Sequence, residues 1–136
     1  MSEETLRIKG YGTGDLVVAY TEEWYVLTEI KTITLRSDDT LVLRSTEYTM
    51  YEGDILCNVS TSGIEKAKLQ VEARRANLLL SLTGFCESCV DNWGEFDLED
   101  RADRADEFKD MLNEIESLKL VLRKLNEKSK EADNED

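Results

Sequence analysis

The chain has 136 residues and a mass of 15.6 kDa, room for one domain with at most a separable helical arm. Thirty acidic residues against 17 basic ones give a net charge of −13 and a pI near 4.4, which disfavours a compact nucleic-acid-binding domain because phosphate contacts need clustered Lys and Arg. Histidine is absent, which excludes Ser-His-Asp and Cys-His nucleophile systems, a His general base and any His metal ligand.

No apolar run approaches the ~20 residues of a membrane span, and Met1-Ser2-Glu3-Glu4 lacks the basic start and apolar stretch of a signal peptide. The expectation is a cytoplasmic protein with no membrane partner. Reducing surroundings leave Cys57, Cys86 and Cys89 as free thiols, and an odd cysteine count argues against a disulfide framework. Proline is absent, so turns rest on Gly, Asn, Asp and Ser, and helices run without an internal breaker.

The sequence changes character near Ser60. β-Branched and aromatic residues dominate before it; Leu, Ala, Glu, Lys and Arg dominate after it. This predicts an α+β fold, an N-terminal antiparallel β meander followed by two α-helices. Residues 1–60 form the β region. Thr5–Lys9 alternates as a strand does. Gly10, Gly12 and Gly14 lead into Asp15; neither Gly-Lys-Ser/Thr nor a helix follows, so they read as a hairpin turn and not a phosphate loop. Leu16–Tyr20 is a short apolar run suited to a buried strand. Trp24–Leu27 resumes β character, and Ile30–Leu35 alternates with Ile33 and Leu35 on one face. Ser37-Asp38-Asp39 is a turn, after which Leu41 and Leu43 share a face. Glu47–Tyr51 precedes the turn Glu52-Gly53-Asp54, and Ile55–Val59 completes five or six strands in an open sheet or small barrel.

Residues 61–84 predict a helix packed on the sheet. Ser62-Gly63-Ile64-Glu65 fits a capping box; Ile64, Ala67, Val71, Leu78 and Leu82 recur at helical spacing; Gly84 is the expected C-cap. Residues 85–96 read as a connection. Residues 97–130 predict a long, coiled-coil-like helix with acids at its start and bases at its end, and with Asp97–Arg101 and Asp100–Arg104 as i,i+4 pairs. Its apolar residues fit a heptad, with Phe108, Ile115 and Leu122 at one seam position and Met111, Leu118 and Leu125 at the other. A sheet of about 60 residues is thin alone. The first helix therefore covers it, and the seam of the last helix is left for homo-oligomerisation, a dimer by default. The alternative folds the last helix back antiparallel on the first within one chain. Residues 131–136 read as a disordered acidic tail.

Cys86-Glu87-Ser88-Cys89 is the one chemically suggestive motif. Two thiolates at this spacing can grip a metal, with Cys57 and Asp91 as further ligands or with two subunits sharing one ion; the motif can also be a redox dithiol. No second pair and no βαβ unit accompany it. The two cysteines therefore read as small, partly buried residues at a helix end, with no metal or other cofactor expected. Ten acids against three bases lie between Glu87 and Asp110, at spacings that do not fit a calcium loop. They read as a solvated helix start, or as an acidic face that inhibits a nucleic-acid-binding protein. Residues 63–90 alone have a positive balance, with Lys66, Lys68, Arg74 and Arg75 against Glu65, Glu72 and Glu87. Arg74, Arg75 and Lys68, with Trp24 and Tyr25 as an aromatic wall, are candidates to bind a small anionic or nucleotide ligand. The alternative is that the arginines pair with the acidic connection or with Glu residues of a neighbouring subunit.

The expected function is that of a non-enzymatic, oligomeric binding or inhibitory protein. Its partners are itself and a small anion or another protein, with no direct nucleic acid; alternatively it is an assembly adaptor docking through its last helix. In arrangement only, a β meander followed by two helices resembles several small phage proteins, some of them oligomeric sponges that sequester nucleotide signals of bacterial immunity. That likeness assigns no residues; with the basic balance of 63–90 it prompts the expectation that Arg74 and Arg75 hold ligand phosphates at a subunit interface.

Overall fold

The computed structural model describes residues 7–22 and 24–133. The expected α+β order forms: strands β1 (Leu16–Thr21), β2 (Trp24–Glu29), β3 (Thr32–Leu35), β4 (Leu41–Arg44), β5 (Thr49–Tyr51) and β6 (Ile55–Asn58), then a helical turn α1 (Val59–Ser62) and two long helices, α2 (Ile64–Asn92) and α3 (Leu98–Asp133). Thr5 and Leu6 of the expected Thr5–Lys9 strand lie outside the described residues, as do 134–136 of the acidic tail; residues 7–9 form no strand beyond the Ile8–Tyr11 bridge, because Lys9 is already in the turn, and residues 131–133 are the last turn of α3.

The meander forms two three-stranded antiparallel sheets, β2-β1-β6 and β3-β4-β5, in place of one. The reason lies in β1. Its central residues are apolar without alternation, and Val17, Val18 and Ala19 have no exposed surface. Val17 and Ala19 face an inter-sheet core with Ile30, Leu41, Leu43 and Met50. Val18, on the other pleat, joins Cys57, Ala67, Val71, Leu118 and Leu125 in a second core under the helices. The molecule's body is thus three layers deep, with β1 in the middle one. Val42 is buried as well as Leu41 and Leu43, so β4 is covered on both faces and not on one.

Local chemistry sets the turns. Lys9 and Gly10 have positive φ (53° and 90°) and form a two-residue hairpin, closed by Ile8–Tyr11 hydrogen bonds of 2.8 and 3.0 Å. Asp15, only 7% exposed, accepts from Arg7, from the Gly12 N–H at 2.9 Å and from Asn58 Nδ2 at 2.8 Å. One carboxylate thereby ties the glycine-rich turn to the end of β6. Asp38 Oδ1 accepts from the Thr40 N–H at 3.0 Å, which closes the turn into β4.

The helix boundaries correct the sequence reading in three places. No capping box forms at Ser62, because its hydroxyl donates back to the Asn58 carbonyl at 2.7 Å; Asn58 caps α1, and α2 follows Gly63, whose φ is 91°. Gly84 does not end α2, which runs on to Asn92. An interior glycine costs only about 1 kcal/mol against Ala, and packing along α3 offsets it. The connection of 85–96 therefore shrinks to a 3₁₀ turn at Trp93–Glu95 and two more residues, and Cys86 and Cys89 lie on the helix. Asp97 caps α3, its Oδ1 accepting from the Asp100 N–H at 2.8 Å. With that carboxylate engaged, the expected i,i+4 pairs give way to others: Arg101 donates to the Trp93 carbonyl, and Arg104 pairs with Glu107.

α3 folds back antiparallel on α2, as the alternative reading held, and runs along the free edge of β2. Ile115, Leu118 and Leu125 are 2%, 0% and 0% exposed within the chain's own core. The expectation that this seam is left over for an oligomer is corrected for these three residues. Phe108, Met111 and Leu122 are less covered. Ser117 makes the edge contact: its hydroxyl accepts from the Tyr25 N–H at 2.8 Å and donates to the Glu114 carbonyl at 2.6 Å. An edge-strand N–H that would otherwise be buried without a partner is satisfied by a helix side chain.

Ser117→Ala is expected to destabilise the protein by about 1–3 kcal/mol, since it strands that N–H. Leu118→Ala should cost about 2–5 kcal/mol, and Leu80→Ala no more than about 0.5 kcal/mol. Urea unfolding of the three variants measures the order.

Candidate functional site

The five residues expected to form one anion site are divided among separate places. Tyr25 and Arg74 do meet: Arg74 Nε donates to the Tyr25 hydroxyl at 2.8 Å. Tyr20 packs edge-on against Tyr25 with ring centroids 5.1 Å apart. With Asp54 and Glu114 they line a concavity of about 500 Å³. Its one guanidinium already faces a carboxylate. Glu114 Oε1 is 3.9 Å from Arg74, and burial pushes the Glu114 carboxyl above the usual carboxylate range despite the opposing pull of Arg74.

Arg75 follows Arg74 by one residue, about 100° further round the helix. It lines a different groove, with Glu72, Leu79, Leu122 and Asn126, and its Nε is buried without a hydrogen-bond partner. Lys68 pairs with Glu65 at 3.3 Å. Trp24 lines a third concavity, which Tyr25 also borders, against Ser117, Leu120 and Lys124 of α3 and away from Arg75 and Lys68. A single chain therefore does not bring Arg74 and Arg75 to one phosphate. Tyr20, Asp54 and Glu114 carried no sequence signal, because strand aromatics and helix acids are ordinary in a chain of this composition.

The larger feature is the far half of the helical hairpin. Val71 is the last buried residue of α2 and Ile115 the first of α3; from 72 to 114 no residue is fully buried. Each helix contributes roughly 20 residues to this arm, a length of about 30 Å. Leu80, Val90 and Leu98 are 72%, 76% and 82% exposed. Near the tip a groove of about 580 Å³ lies between the helices, lined by Phe85, Cys86, Cys89, Val90 and Trp93 on one side and Arg104, Ala105 and Phe108 on the other. Its walls are almost wholly apolar. The tip is pinned from within. Arg101 lies 5.1 Å over the Trp93 ring and donates to the Trp93 carbonyl, Trp93 meets Phe96 edge-on, and Arg104 lies 5.9 Å over the Phe96 ring.

Cys86 and Cys89 share this groove wall at i,i+3. Cys57 does not join them: it sits in the helix-covered core, where burial pushes its thiol up to about 11. Among the described residues there is no cluster of three or more metal-ligating side chains. No described helix is long and apolar enough to cross a membrane.

Two predictions follow from the thiols. In the native protein iodoacetamide should alkylate Cys86 and Cys89 and spare Cys57, with the third adduct appearing only in denaturant, as read by intact mass. The folded state also retains the Cys57 proton between pH 9 and about 11, where the unfolded chain releases it. The contribution of Cys57 to stability is full below pH 9 and is lost as the pH rises to about 11. The difference in urea midpoint between the wild type and Cys57→Ala should narrow across that window.

No known protein family, curated protein or solved structure matches the chain, so the chemistry of these surfaces is the ground for a functional reading.

Proposed function

We propose that the protein is a non-enzymatic binding protein, an adaptor or inhibitor, that engages another protein through its two-helix arm. One observation carries this reading: among the described residues none from 72 to 114 is fully buried, while Leu80, Val90, Trp93, Leu98 and Phe108 remain exposed. Val90, Trp93 and Phe108 line one groove, and an apolar patch of this kind marks interaction sites on small proteins. A two-helix hairpin holds little core of its own, because helices in water draw their stability mainly from packing an apolar face. A partner laid on the arm supplies the missing layer.

The rest of the molecule supports binding over catalysis. Arg74 is matched by Glu114, and the acids near the tip are exposed along the helices instead of converging in a cleft. The binding or inhibitory class expected from the sequence is kept, and its small anionic ligand and its oligomer are set aside. Its surface moves from the seam at Ile115, Leu118 and Leu125, which the body covers, to the distal half of the hairpin.

A photo-crosslinking residue placed at Val90, at Leu98 or at Asp39 on the body, in the full chain in its native cells, tests this. Discrete adducts from the two arm positions and none from Asp39 are expected. Adducts confined to Asp39, or none from the arm, overturn the reading.

A further inference from the structure

We infer that the occupant of the arm is a basic amphipathic helix of a partner protein, its apolar face in the groove at the tip and its Lys or Arg side chains along the acidic flanks. This rests on the docking role of the arm. A groove between two roughly antiparallel helices accepts a third helix by ridge-and-groove packing. Val90, Trp93 and Phe108 offer apolar contact on both sides of it.

Charge selects the partner. Between Glu87 and Asp110 stand ten acids and three bases. Two of the bases are already engaged, Arg101 by the Trp93 carbonyl and Arg104 by Glu107. Among the described residues Glu107 is the only one of the ten acids in an ion pair. Glu87 stands one helical turn from Val90, and Asp100 one turn from Arg104, so uncompensated carboxylates border the groove on both helices. A second copy of this chain docked tip to tip would bring the same surplus and set like charges against each other, and the net charge of −13 opposes its other approaches. An anionic lipid surface or a nucleic acid would be repelled for the same reason. A cationic helix neutralises the flanks while its apolar side fills the groove.

The test uses the full chain carrying Trp24→Phe, so that Trp93 is the emission reporter. The probe is a synthetic peptide of about 18 residues, roughly 27 Å of helix, with Leu and Lys in amphipathic order. Its control is the same peptide with Glu for Lys. Saturable binding of the Lys peptide is expected, at least about tenfold tighter than the Glu peptide and weakening as salt rises. Two variants separate groove from charge, each checked for unchanged circular dichroism. Val90→Asp with Phe108→Asp adds negative charge but spoils the groove, and should weaken the Lys peptide about tenfold or more. Glu87→Lys with Asp100→Lys keeps the groove and should weaken it comparably. Equal or tighter binding by the first variant would mean charge alone and overturns the inference, as does failure to bind the Lys peptide at about 100 μM. Arm crosslinks whose mass is twice that of the chain would preserve the docking role and overturn this choice of occupant.

Discussion

The double burial of β1 is the constraint on which the rest of the body depends. A strand with no polar face cannot lie at the surface, so it needs a layer on each side. Val17 and Ala19 recruit β3, β4 and β5 as one cover, and Val18 recruits α2 and α3 as the other. The hydrophobic effect rewards this arrangement at roughly 25 cal/mol for each Å² removed from water. A small chain thereby builds two thin cores in place of one thick core. Ser117 then closes the remaining weakness, the edge of β2, with a single hydroxyl.

The same arrangement explains why the helices have unequal halves. The body is only as long as its strands, four to six residues in β1, β2 and β6, whereas α2 has 29 residues and α3 has 36. Once Ala67, Val71, Arg74, Leu118 and Leu125 have met the body, the distal part of each helix has only the other for company. Two helices cannot cover each other all round, so apolar side chains on the outer faces stay in water. The tip contacts of Arg101 with Trp93 and of Arg104 with Phe96 hold the turn in one geometry. A preorganised hairpin of this kind costs little conformational entropy on association. On the docking role proposed above, that favours it over a flexible loop bearing the same residues.

The charge distribution completes the division of labour. Bases gather at the end of α3 nearest the start of α2, where Ser129 meets Glu65 at 3.2 Å, and acids gather at the hairpin tip. The polarity suits the dipole of α3, whose amino end lies at the tip. It also sets the exposed apolar groove among acidic side chains, the ground of the partner chemistry proposed above.

Much of this was legible in the chain. The β-to-α order, a turn in the glycine-rich segment, the Asp38 turn and the start of α3 at Asp97 follow from turn chemistry, side-chain period and helix capping, all of which act over a few residues. The local signals at Ser62 and Gly84 misled, because a hydroxyl can bond backwards as readily as forwards and because one glycine is a small penalty against a long packed interface. The partition of the strands into two sheets, the capture of Ile115, Leu118 and Leu125 by the chain's own body, and the parting of Arg74 from Arg75 were settled only by tertiary structure. Each depends on which of several equally apolar faces meet across long sequence separations. That choice is made by total buried area and by the polar groups it leaves satisfied, and neither is a property of any short stretch of sequence.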